Sequence, residues 1–292
     1  MSGKRRRFVD AHVHLWDAAA NPWYNFPQPS DEGDGFGLGL KRPFPDRYMW
    51  DDHLASTCRV QLEKWVHVTA LTRPNHIEAE TAWVDSIALQ IGLPFVLIGS
   101  VDMSRDIREI IASLDRQAAS PAFRGIRLLE GADYSDVRTR ELLSQLSSRG
   151  LIYEVVVSTG SIASAAQALS RYPDLTVILE HAGWPLAYDE VHFRKWRDEM
   201  EEFARLPNSF CKLSGLAMVV HRNDLNISRK FYEKCIALFG SDRCMFGSNF
   251  PVDLSYDEGS GFFSVFEEIA SSLREEQAED LYFRTAERAY RL

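Results

Sequence analysis

Eight short apolar runs, each followed by a stretch of helical periodicity, constrain this chain more than any other feature. The runs are Phe8–His14, Trp65–Leu71, Phe95–Val101, Phe123–Leu129, Leu151–Val157, Thr176–Glu180, Ser209–Leu213 and Cys244–Ser248. Their apolar residues are continuous rather than alternating, as expected for strands covered on both faces of a parallel sheet. Helical patterns cover Ala79–Ile91, Ile107–Ala119, Val137–Arg149, Ile162–Arg171, Val191–Arg205, Arg229–Phe239 and Phe262–Leu273, and a last one, Glu275–Tyr290, closes the chain. Turn signals such as Gly92-Leu93-Pro94 and Tyr172-Pro173-Asp174 punctuate them. Strand–helix alternation repeated eight times predicts an α/β fold, a (β/α)8 TIM barrel. An open doubly wound sheet would need one or two of the runs to be helix core. At 292 residues, the chain matches one barrel domain spanning 1–292.

One connection breaks the rhythm. From Leu15 to Ala55 the chain is rich in Pro, Gly and aromatics, including Trp16, Trp23, Tyr24, Phe26, Phe44, Tyr48 and Trp50. Loops this long in compact domains are usually functional or disordered, and so many aromatics require burial. The segment leaves the C-terminal end of the first strand, the face where barrels build their sites. It reads as a lid, residues 15–55, that either walls a pocket or plugs the barrel mouth.

Charge and cysteine content narrow the function classes. Lys and Arg total 33 against 42 Asp and Glu, a net charge of −9, which disfavours nucleic-acid binding. The basic run Lys4-Arg5-Arg6-Arg7 reads as a solvated tail, since it feeds straight into an apolar strand and not into a signal-peptide core. No stretch has the length of a spanning helix. Cys58, Cys211, Cys235 and Cys244 are far apart in sequence, which fits reduced thiols in a cytoplasmic protein. The expected partner is a small molecule; the sequence leaves a homodimer open.

Candidate chemistry gathers at the ends of the runs. His12 and His14 lie two residues apart on the first strand, so both side chains point to one side. A third imidazole, His181, ends the sixth run. The seventh run carries Lys212 and the eighth leads into Asn249 and Asp253. Arg124 and Arg127 are three apart on the fourth run, so one points inward and the other out. Arg127, nearer the strand's end, either grips a substrate carboxylate or pairs with Glu130 or Asp102. A buried Lys212 needs a partner, for which Glu154 and Asp10 are the candidates. Trp16, Tyr153 and Trp184 are pocket-wall candidates. His67, in mid-strand, reads as a satisfied barrel residue.

The segments Asp10-Ala11-His12-Val13-His14-Leu15-Trp16-Asp17, His181-Ala182-Gly183-Trp184-Pro185 and Phe246-Gly247-Ser248-Asn249-Phe250-Pro251 resemble the amidohydrolase superfamily, of the amidohydrolase 2 type. Within it, the chain is similar to lactonases that open sugar-acid lactones and 2-pyrone-4,6-dicarboxylate. The resemblance implies a (β/α)8 barrel and hydrolysis of a small acidic or polyhydroxylated cyclic ester. It also implies a metal site built from the His12–His14 pair, a Lys or Glu on strand 4, histidines on strands 5 and 6, and an aspartate on strand 8. Here strand 4 offers only arginines, strand 5 ends in Ser158-Thr159-Gly160, and strand 8 carries Asn249. Imidazoles without an anionic ligand hold a divalent ion weakly. No metal cofactor is therefore expected, and any weakly held zinc or manganese would sit on His12, His14 and His181.

Asn249 stands where relatives carry the general base, and an amide cannot accept a proton. Either an imidazole (His181, His14 or His12) takes the base role, or Asp253 swings in, or the reaction needs no hydrolytic base; His181 and His12 rank ahead of Asp253, which also reads as a turn residue. Lys212 and Arg127 then receive negative charge developing on the carbonyl oxygen, with Asn249 holding the loop or the substrate. Two other readings remain open at this level. One is a decarboxylase, lyase or cyclase of secondary metabolism on the same barrel, and the other a catalytically inactive binding barrel.

Overall fold

The computed structural model describes residues 5–26, 40, 43–256 and 261–292. Eight parallel strands follow one another around a single sheet in chain order. They are β1 (Arg7–Val13), β2 (Gln61–Val68), β3 (Phe95–Gly99), β4 (Phe123–Arg127), β5 (Ile152–Val155), β6 (Thr176–Leu179), β7 (Ser209–Leu213) and β8 (Cys244–Phe246). A helix follows each strand, so the protein is the (β/α)8 barrel that the alternation predicts. β2 starts four residues earlier than its apolar run, at Gln61. Its first four residues are polar or only partly buried, which hides them from a hydrophobicity pattern.

Past β8 the regular ladder gives way to individual hydrogen bonds that close the ring onto β1. Asn249 N–H donates to the His12 carbonyl at 2.7 Å and His14 N–H to the Phe250 carbonyl at 2.8 Å. Ser248 N–H donates to Asp10 Oδ1 at 2.8 Å.

The helices begin where short side chains cap them. Asp106, Asp136, Asp189 and Asp224 each accept backbone N–H bonds from the first turn, satisfying donors that have no intrahelical partner. The aromatic segment after β1 is more ordered than a plain loop. It contains a two-residue antiparallel ribbon, Trp16–Asp17 with Arg47–Tyr48, and a helix, Trp50–Ser56. Residues 27–39 and 41–42 of this lid, and Lys4 of the basic run, lie outside the described residues.

The core has two parts. Val9, Ala11, Val66, Val68, Val96 and Ile98 fill the inside of the barrel, together with Phe283, Ala286, Ala289 and Tyr290 of the C-terminal helical segment. The larger part lies between the strands and the surrounding helices. All four cysteines are free thiols, three of them buried, although β7 and β8 place Cys211 opposite Cys244. No helix among the described residues is long and apolar enough to cross a membrane.

Candidate active site

Strict alternation along β1 would turn Asp10, His12 and His14 the same way. A register irregularity between Asp10 and Val13 breaks that alternation. Asp10 therefore meets His53 of the Trp50–Ser56 helix at 3.3 Å, and does not serve Lys212. His12 and His14 turn to the site. Their Nε2 atoms lie 3.2 Å apart. His14 Nδ1 lies 2.7 Å from the Val68 carbonyl, which can only accept. His14 Nδ1 thus carries the proton and Nε2 the lone pair. That lone pair accepts from His12 Nε2–H, leaving His12 Nδ1 to accept from Lys212 Nζ at 3.1 Å.

Lys212 is completely buried and paired with Glu154 at 2.6 Å. The other Glu154 oxygen accepts from the hydroxyl of Tyr290 at 2.5 Å. An unbroken hydrogen-bonded line thus runs from the C-terminal segment through the barrel to His14. Burial opposes both charges of the pair. It pushes Glu154 up to about 8 despite Lys212, and Lys212 down despite Glu154. Burial also drives His12 far down, assisted by Lys212 and His181, and His14 likewise, assisted by Arg127. Both rings are neutral at physiological pH.

The third imidazole sits in an unusual turn. His181, Ala182 and Trp184 all have positive φ, at 50°, 52° and 41°, a conformation that costs energy for side chains of this kind. It brings the His181 ring within 4.6 Å of the His12 ring, between centroids. Gly215 makes room for it, since a Cβ there would lie 2.4 Å from His181 Nδ1. Nδ1 bonds Ser214 Oγ at 2.9 Å, and Nε2 faces Glu180 Oε2 at 3.6 Å. Burial, with Arg127 and Lys212 nearby, pulls His181 down to about 4 against the attraction of Glu180.

Glu180 is the functional candidate that the sequence reading missed. Burial disfavours its charge, yet Arg127, His181 and Lys212 outweigh that and hold its carboxyl at about 2. Arg127 NH1 donates to Glu180 Oε2 at 3.0 Å, and NH2 to the Thr69 carbonyl. The partner of Arg127 is therefore Glu180, and neither Glu130 nor Asp102. The signal was a carboxylate closing an otherwise apolar run directly before His181.

His12, Glu180 and His181 offer ligand atoms that all lie within 4.8 Å of one another. Glu180 Oε1 is buried without a hydrogen-bond partner among the described residues. Two imidazoles and a carboxylate suit zinc or manganese. The expectation that no metal is held rested on the lack of an anionic ligand, and Glu180 supplies one.

A cavity of about 940 Å³ opens above these groups. His14, Arg127, His181 and Asn249 line it, with Trp16 and Trp184 on its walls. His12 and Lys212 are buried beneath, outside its lining. Asp253 is also buried away from the lining and accepts from Asn249 Nδ2 at 2.9 Å. Tyr153 does not line the cavity either. Glu154 beside it points into the barrel, so alternation turns Tyr153 outward, where it joins the core beneath the helices. Tyr134 lines the cavity instead.

Comparison with known proteins gives the family and the fold. A protein of Sinorhizobium fredii, y4mH, itself uncharacterized, is 29% identical and covers 97% of this chain and 98% of its own. An L-fucono-1,5-lactonase of Burkholderia multivorans is 26% identical over 97% of this chain and 96% of the lactonase. The crystal structure of an amidohydrolase from Burkholderia multivorans with bound zinc shares the fold. It superposes with a TM-score of 0.79 at 23% identity, over 98% of this chain and 99% of that one. The profile of the amidohydrolase family matches residues 9–292, from β1 through the C-terminal helix, and the chain is a member of that family.

Proposed function

We propose that this enzyme hydrolyses a small cyclic ester. The lactonase relative supports this reading, and one observation carries it. A neutral imidazole, His181, stands on the cavity floor with a carboxylate beside its Nε2. With Nδ1 donating to Ser214 Oγ, the lone pair of Nε2 is available to take a proton from water. The imidazolium that forms is stabilised by the nearby negative charge of Glu180. The water oxygen bonds to the ester carbonyl carbon, and the ring C–O bond then breaks. The proton held by His181 passes to the departing alkoxide.

Arg127 retains one buried N–H, at Nε, with no partner among the described residues. That donor receives the negative charge that develops on the carbonyl oxygen, while Asn249 holds the strand 8 loop through its bond to Asp253. His12, His14 and Lys212 fix the floor from below. A divalent ion bound by His12, His181 and Glu180 would polarise the carbonyl and acidify water.

The test is a pH-indicator screen of lactones with the purified protein and its His181→Asn variant. Asparagine suits the change because it tolerates the positive φ at this position. Turnover is expected to fall by about 10²–10⁴-fold with the circular dichroism spectrum preserved. Full turnover by the variant would remove His181 from the reaction, and release of CO₂ from a tested acid would replace hydrolysis with decarboxylation.

A further inference from the structure

We propose that the cavity takes a neutral, flat and largely apolar ring ester, an aryl-fused lactone, and not the acidic or polyhydroxylated lactone that the sequence resemblance implies. This proposal rests on the lactone-hydrolase reading and names its substrate class.

Charge is the first argument. A carboxylate entering a water-poor site needs a free guanidinium or ammonium partner. Two guanidiniums line the cavity among the described residues, Arg127 and Arg138, and both are committed. Arg127 gives NH1 to Glu180 and NH2 to the Thr69 carbonyl, which leaves only the single Nε donor that the ester oxygen takes in the proposed reaction. Turning it to a substrate would strand Glu180 as a buried, uncompensated charge. Arg138 gives Nε and NH2 to Asp136, at 3.0 and 2.6 Å, and NH1 to the Met103 carbonyl at 2.8 Å. The lining also carries Glu130, Asp133 and Asp136, so among the described residues an approaching anion meets more carboxylates than guanidiniums.

Shape and polarity are the second. Trp16, Phe26 and Phe44 form one apolar wall, with ring centroids 4.3 Å apart for Trp16–Phe26 and 5.8 Å for Phe26–Phe44. The Trp16 indole N–H is already used by the Pro45 carbonyl at 2.7 Å, so no donor remains on that ring. Trp184 and Met218 add apolar surface near the floor. Sugar hydroxyls turned against this aromatic wall would lose water and gain no partner there. The rest of the lining includes polar groups, Ser158, Ser161 and Tyr134 among them, so the aromatic wall takes the face of the ring and the polar side the ester. About 940 Å³ accommodates a bicyclic ring.

The experiment compares 3,4-dihydrocoumarin, L-fucono-1,5-lactone and 2-pyrone-4,6-dicarboxylate as substrates of the full-length protein. Calorimetry separately measures binding of 3,4-dihydro-2-quinolinone, the unreactive lactam of dihydrocoumarin, and of trimesate as an anionic ring. The expected result is a kcat/KM for dihydrocoumarin at least 100-fold above the other two, and lactam binding at least 10-fold tighter than trimesate. A kcat/KM for the sugar or dicarboxylate lactone equal to or above that of dihydrocoumarin overturns the proposal. If no lactone is opened, binding decides. Tighter lactam binding keeps the substrate class and overturns the hydrolase reading, whereas absent or weaker lactam binding overturns the substrate class.

Discussion

Arg127 and Glu180 are both almost inaccessible to water, at 4% and 2% relative exposure. Removing one partner of such a pair leaves a buried charge, which typically costs about 3–5 kcal/mol. Arg127→Met is expected to lower stability at pH 7 by that amount in urea denaturation. The dependence on pH follows from Glu180, held at about 2 in the folded protein against roughly 4.3 unfolded. A depressed carboxyl contributes fully above the unfolded value and loses its contribution as pH falls toward the folded one. The gap between wild type and Arg127→Met should therefore narrow by at least about 1 kcal/mol from pH 7 to pH 3.5, and a constant gap would show that Glu180 is not the partner that matters. Asn249 obeys the same electrostatics. Its amide donates to Asp253 at 2.9 Å, where an aspartate would set two carboxylates face to face. Position 249 and Asp253 thus form a compensated pair, which explains how strand 8 can carry an amide.

Among the elements, the C-terminal helical segment does more than cover the barrel. It places Phe283, Ala286, Ala289 and Tyr290 among the residues filling the barrel, and Tyr290 reaches Glu154 and, through it, Lys212 and His12. Tyr290→Phe keeps the ring and deletes the donor. It should cost about 1–3 kcal/mol, the penalty for an orphaned buried acceptor. It should also lower kcat several-fold at unchanged KM, because Tyr290 does not touch the cavity. A stability loss with unaltered kcat would make the line from Tyr290 to His12 structural only. The helical pattern of Glu275–Tyr290 was legible in the sequence, but its destination was not. Periodicity tells which residues share a face, and does not tell that the face enters the barrel. The short Trp50–Ser56 helix was hidden for a different reason. Two turns with two acidic residues at the start and few apolar positions give too little periodicity to stand out from an aromatic-rich loop.

At the scale of the whole molecule, the barrel closes through side chain and backbone groups rather than a complete ladder. Asp10 Oδ1 accepts from Ser248 N at 2.8 Å and from His12 N at 3.2 Å, so one carboxylate ties the last loop to the first strand. Asp10→Ala would orphan two buried N–H groups and should lower Tm by roughly 5–10 °C. Asp10→Asn retains an acceptor oxygen and should recover most of that loss; equal loss in both variants would mean that charge, and not the acceptor, closes the seam. Gly247 contributes to the same junction, since a Cβ there would lie 2.8 Å from His12 Cβ.

The amino-acid sequence determined the barrel, because strand and helix periodicities are local and repeat eight times. It also determined the three imidazoles, because each ends a strand and strand ends on one face of a closed barrel must converge. Tertiary structure alone decided the charge partners. Whether Lys212 meets Glu154 or Asp10, and whether Arg127 meets Glu180 or a substrate, depends on a one-residue irregularity in β1 and on the turn at His181. Such register and φ choices are settled by packing energy summed over the whole barrel, which no short stretch of residues carries by itself.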